Sequence, residues 1–125
     1  MNNRKTEKVV VLGATRNPER YSYKALIMLA DHGHNVFPVN PAFDEIEGHK
    51  VFNDLSDINE NIDTLTMYLS EKRSTPLIEK IVNLKPGRVI LNPGTESEEL
   101  ESALRNAGIS YEYACTLVLL QTNQF

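Results

Sequence analysis

Short apolar runs alternate along this chain with segments of helical periodicity, and nothing else in the sequence constrains the fold so tightly. Lys8 to Leu12 is a continuous apolar run closed by Gly13, the pattern of a strand buried on both faces. A helix is predicted over Ser22 to Asp31, with Ala25, Leu26, Leu29 and Ala30 on one face and Gly33 as its stop. Asn35 to Val39 reads as a second strand, closed by Pro38-Val39-Asn40-Pro41. Residues 41–61 are expected to be irregular, with one helical turn over Leu55 to Ile58. Ile62 to Leu69 is a third strand, followed by a helix over Thr75 to Leu84 that stops at Lys85-Pro86-Gly87. Arg88 to Leu91 is a fourth strand, Thr95 to Ala107 a helix closed by Gly108, and Ile109 to Tyr113 a fifth strand. The run ACTLVLLQTNQF, residues 114–125, reads as a strand extension or a packed tail. Strands alternating with helices imply a mainly parallel sheet with right-handed crossovers covering both faces, so one α/β domain of three layers is expected over residues 1–125.

Composition narrows what such a domain can do. Hydrophobic residues at 41% and charged residues at 24% are those of a globular chain with a proper core. The net charge of -4 supplies no general field for a polyanion, so a nucleic acid is not expected as a partner and any anion site must be local. The single cysteine, Cys115, excludes an internal disulfide and a cysteine-based zinc cluster, and it fits a reducing compartment. The polar opening MNNRKTEK runs straight into the first strand, and no apolar run approaches the ~18 residues of a membrane span. A soluble, cytoplasmic protein without a membrane partner is the expectation.

In an open parallel sheet, ligands bind beyond the carboxyl ends of the strands, where the strand order reverses. The first such end, GATRNPERYS, combines Gly13 for close backbone approach, Thr15 as a hydroxyl, Arg16 and Arg20 as positive charges, and a helix start. These are the elements of a phosphate corner, although one glycine is less than a dinucleotide fingerprint and Gly-Lys-Ser/Thr is absent. The alternative is a plain turn capped by Asn17 or Ser22 with surface arginines. At the second end, Pro38-Val39-Asn40-Pro41 stands where a nicotinamide dinucleotide site usually has an acid for the ribose hydroxyls, which disfavours NAD and leaves room for a phosphorylated ribose. The fourth end has Thr95, Glu96, Glu98 and Glu99 at a helix start, a capping pattern that already supplies negative charge; Asn92-Pro93-Gly94 could line a pocket through backbone groups.

Taken together, GATRNPERYSYKA and LADHGHNVFPVNPAFDEIEGHKVFNDLSDI resemble the stand-alone CoA-binding proteins, whose domain is shared with the nucleotide-binding end of the succinyl-CoA synthetase alpha subunit. The match is strongest from Val9 to Ile58, where the Gly-Ala-Thr corner, the segment Leu29 to Pro41 with His34, and Glu47-Gly48 recur in order. The resemblance implies a Rossmann-like fold with a five-stranded parallel sheet and coenzyme A across its carboxyl edge. It implies that Gly13, Thr15, Arg16 and Asn17, with Ala14, Arg20 and Ser22 of the same corner, meet the phosphates. Val39, Asn40 and Pro41 would then border the adenosine, and Tyr68, Leu69 and Ser70 the pantetheine side.

Catalysis is not expected. The synthetases phosphorylate a histidine in a second domain, whereas His32 and His34 here flank Gly33 at a helix end and His49 follows Gly48 in a loop. Cys115 lies in an apolar run and reads as a small buried hydrophobe. The expected function is binding of CoA or an acyl-CoA without catalytic machinery. An NAD(P)-binding redox-sensing module, or an interaction protein with a vestigial nucleotide site, are the alternatives.

Overall fold

The computed structural model describes residues 6–125. Its elements are β1 (Lys8–Leu12), α1 (Tyr21–Asp31), β2 (Asn35–Val39), a hairpin of β3 (Glu45–Ile46) and β4 (His49–Lys50), and a 3-10 turn at Leu55–Asp57. They continue with β5 (Thr64–Met67), α2 (Glu71–Ser74), a 3-10 turn at Thr75–Leu77, α3 (Ile78–Leu84), β6 (Arg88–Leu91), α4 (Glu98–Asn106), β7 (Ser110–Tyr113) and α5 (Thr116–Gln121). Five strands form one sheet in the order β2-β1-β5-β6-β7, and every pairing in it is parallel.

Strand side chains alternate between two faces. Val9 and Val11 pack with Leu26 and Leu29 of α1 and Leu120 of α5 on one side of the sheet. Val10 and Leu12, joined by Leu65, Met67, Val89 and Leu91, pack with Ile81 of α3 and with Leu100 and Leu104 of α4 on the other. The result is a three-layer α/β arrangement of Rossmann-like type. The chain leaves β1 for β2 on one side and returns to β5 on the other, so the strand order reverses between β1 and β5.

Four segments differ from the sequence expectation. The helix expected over Thr75–Leu84 is two pieces, a 3-10 turn and α3, with the short α2 before them, because Pro76 has no N–H to continue an α-helical ladder. Helix α4 begins at Glu98, not Thr95: Ser97 accepts from the Leu100 N–H, while the Thr95 hydroxyl donates to the Asn92 carbonyl at 2.7 Å. The supposedly irregular segment 41–61 contains the β3–β4 hairpin as well as the 3-10 turn. The C-terminal run is not a strand extension but the packed tail, folded as a helix, α5, docked on α1.

A buried polar knot holds α5 to the sheet. The Asn92 amide nitrogen donates to Thr66 Oγ1 at 2.7 Å and to the Met67 carbonyl at 2.9 Å, and Asn92 Oδ1 accepts from the Thr116 N–H at 2.9 Å. The hydroxyls of Thr66 and Thr116 are bonded to each other at 2.7 Å. Beside them the Tyr68 hydroxyl is buried without a well-formed hydrogen bond among the described residues, and burial pushes its pKa up to about 12 against the smaller, opposing influence of the Thr116 and Thr66 hydroxyls.

Candidate functional site

Two adjoining cavities lie along the carboxyl ends of the strands, on either side of the point where the strand order reverses. One, of about 450 Å³, is polar; Ala14, Thr15, Asn17, Arg20 and Ser22 form its wall on the β1–α1 side, and Tyr68, Ser70 and Thr95 close it from β5 and β6. The other, of about 600 Å³, is more apolar and lies between Val39, Pro41 and Leu55 on one side and Leu69, Pro76 and Leu77 on the other. Gly13, Asn40, Leu69 and Arg73 belong to both and mark where they meet.

The shape of the junction follows from the backbone at Gly13. Its φ of +94° is a conformation that favours glycine, and a Cβ there would stand 2.9 Å from Leu69 Cδ2. Asn40 fixes the distance to the second corner: its amide nitrogen donates to the Ala14 carbonyl at 2.7 Å, and its side-chain oxygen accepts from the Ala42 N–H at 2.7 Å. Asn53 extends the staple, donating to the carbonyls of Asn40 at 3.0 Å and Phe43 at 2.9 Å.

The start of α1 is chemically bare. No side chain caps it, its first turn carries no acid, and the opening N–H groups of a helix have no partner within it. Ser22 is 5% exposed and its hydroxyl makes no hydrogen bond among the described residues, yet the residue lines the polar cavity. Helix α4 is the contrast, with a Ser97 cap and Glu98, Glu99 and Glu101 in its first turn.

A family model for the CoA binding domain matches residues 7–121. The chain belongs to the CoA-binding domain family. A crystal structure of an uncharacterized protein shares 40% identity with it, covering 98% of this chain and 100% of that one at a TM-score of 0.91. The uncharacterized protein YneT of Bacillus subtilis (strain 168) is 24% identical over 104 residues, 83% of this chain and 77% of YneT. The ADP-forming acetate–CoA ligase of Methanocaldococcus jannaschii is 31% identical over 55 residues, 44% of this chain and 8% of the ligase.

In this CoA-binding domain, Gly13, Ala14, Thr15, Asn17, Arg20 and Ser22 line the polar cavity, Val39 and Pro41 the apolar one, and Asn40 both. Tyr68 and Ser70 line the polar cavity, and Leu69 both. Arg16 lines neither: its Nε donates to the Glu45 carbonyl at 2.9 Å, and its guanidinium lies over the Phe43 ring at 4.9 Å from the centroid. Sequence reasoning missed Asn53, Asp54 and Arg73. Asp54 was hidden because it comes well after the end of β2; the parallel bridge between Val39 and Phe52 brings it back to the cavity wall. Its carboxylate accepts from the Ser56 N–H and hydroxyl and from Lys80 Nζ at 2.5 Å. The Lys80 ammonium, with Ser56, holds that carboxyl well below the usual carboxylate range.

None of the three histidines lines these cavities. His32 ends α1 with Nδ1 2.8 Å from the Met28 carbonyl, and His34 Nδ1 accepts from the Glu7 N–H at 3.0 Å. Cys115 is half-buried at the start of α5. No described helix is long and apolar enough to cross a membrane.

Proposed function

We propose that this protein binds CoA or an acyl-CoA along the carboxyl edge of its sheet and carries out no bond-making chemistry of its own. The observation that carries the reading is the bare N-terminus of α1, which opens on a polar cavity with Arg20 and the unpartnered Ser22 hydroxyl, next to an apolar cavity. Helix N–H groups, a hydroxyl and a guanidinium suit phosphate oxygens, and the apolar cavity suits a nucleoside base. The phosphates meet Gly13, Ala14, Thr15, Asn17, Arg20 and Ser22. Val39, Asn40 and Pro41 border the adenosine, and Tyr68, Leu69 and Ser70 the pantetheine arm. Arg16 reaches a phosphate only by giving up Glu45 and Phe43. An NAD ribose would need a free acid, and Asp54 is already engaged by Lys80 and Ser56.

Thermal denaturation with CoA, NAD and NADPH in parallel tests this reading. A ligand bound by the native state alone adds about 2.7 kcal/mol at a hundredfold excess over its dissociation constant. CoA is expected to raise the melting temperature most. No shift with millimolar CoA, or a larger one with NAD, refutes the reading; release of free thiol on incubation with acetyl-CoA refutes its non-catalytic half.

A further inference from the structure

We infer that Arg73 is the residue that selects the ligand's diphosphate, gripping it where the two cavities meet. This rests on the CoA reading above and goes beyond it by naming a determinant outside every motif that led to it.

Among the described lysines and arginines, most have their charge engaged. Lys8 pairs with Glu60, Lys80 with Asp54, and Arg88 with Glu7 and Glu112. Arg16 is held by Glu45 and Phe43, Arg105 donates to the Tyr111 hydroxyl, and Lys24 and Lys50 lie over the rings of Tyr21 and Phe52. Four make no side-chain hydrogen bond, ion pair or ring contact: Arg20, Lys72, Arg73 and Lys85. The two arginines among them line the polar cavity, Arg20 from the start of α1 and Arg73 from α2. Only Arg73 of the pair also lines the apolar cavity.

That position dictates a ligand class. An anion at Arg73 lies between two compartments, so the matching molecule carries its charge in the middle and an organic arm on each side. A diphosphate joining a nucleoside to a pantetheine arm has this layout. A nucleoside monophosphate or a phosphopantetheine alone fills one compartment. The planar guanidinium offers several donors to two phosphoryl groups, and its backbone is anchored because the Arg73 N–H donates to the Ser70 carbonyl at 3.0 Å.

Calorimetric titration decides it, using CoA, dephospho-CoA and 4'-phosphopantetheine against the parent protein, Arg73→Gln and Lys72→Gln. Lys72 is the adjacent unengaged cation and lines neither cavity. Arg73→Gln is expected to weaken CoA and dephospho-CoA alike, by roughly tenfold to a hundredfold. Lys72→Gln should change both less than about threefold, and the urea midpoints of all three proteins should coincide. Equal losses in the two variants would reduce Arg73 to general charge and overturn the inference. A loss confined to CoA would move Arg73 to the 3'-phosphate, with the same consequence. Full affinity in Arg73→Gln overturns this inference alone, whereas a parent protein that binds none of the three ligands overturns the CoA reading with it.

Discussion

Replacing Gly13 with alanine tests the central claim about the site's geometry, because Gly33 supplies an internal control. Both glycines have positive φ, +94° and +87°, so alanine at either meets the same backbone penalty of about 1–2 kcal/mol. They differ in surroundings. A Cβ at Gly33 has nothing within 4 Å, whereas at Gly13 it would stand 2.9 Å from Leu69 Cδ2 and 3.2 Å from the Tyr68 carbonyl carbon. Leu69 can turn away, but the Tyr68 backbone is held by its N–H bond to the Leu12 carbonyl, so overpacking should add about 1–3 kcal/mol. The expected cost is therefore about 1–2 kcal/mol for Gly33→Ala and about 2–5 kcal/mol for Gly13→Ala. Urea unfolding with a common m-value measures the difference directly. CoA affinity provides a second readout: it should fall sharply in Gly13→Ala, since Leu69 is pushed into the junction of the cavities, and stay at the parent value in Gly33→Ala. If the two variants are equally stable, the close approach of β1 and β5 at this corner is wrong.

Tyr68→Phe removes a buried hydroxyl that makes no well-formed hydrogen bond among the described residues, so a gain of about 1 kcal/mol is expected in thermal or urea unfolding, and a loss would show that the nearby Thr66 or Thr116 hydroxyl bonds it. Because the Tyr68 pKa is raised to about 12, its contribution is present below the ordinary value of 10.0 and lost as pH climbs between them; the variant should lose less stability over that alkaline range. Asp54 runs the other way: its pKa lies below the ordinary 3.8, so its contribution is present above that pH and lost on acidification. Lys80→Met should therefore flatten the acid limb of a melting-temperature series, by a small amount because the pair is solvent-exposed; an unchanged limb removes the pair from the account.

The central strands β1 and β6 were legible because each is a short apolar run ended by glycine or a polar turn, and burial on both faces demands just that pattern; the edge strand β7, with Ser110 and Glu112 exposed, lacks it. Helix α1 was equally plain, with Leu26 and Leu29 where helical spacing places them. What local patterns could not show was competition between neighbours for the same role. Thr95 and Ser97 both suit a helix cap, and the choice went to Ser97 because the Thr95 hydroxyl is drawn to the Asn92 carbonyl. The run that forms α5 read as a strand extension or a packed tail because β-branched and leucine residues fit either state, and its docking onto α1 decides the matter. At the site, residues beside a glycine corner were findable from the chain. Asp54 was not, since only the tertiary return of a distant loop brings it to the cavity wall, and Arg73, three residues beyond Ser70, stands in no motif that marks it.

The all-parallel order of the sheet also governs when the site comes into being. The central strand β1 pairs with β2 and β5, so Val9 must find both Val36 and Thr64, and no tight hairpin can nucleate either ladder. The only hairpin among the described strands, β3–β4, lies outside this sheet. Because loop-closure entropy must be overcome before such distant pairings form, the junction at Gly13, Asn40 and Leu69 is expected to be complete only once both ladders are in place. A ligand held there then acts mainly on the unfolding barrier: it prolongs the life of the native chain while leaving the speed of its formation almost untouched.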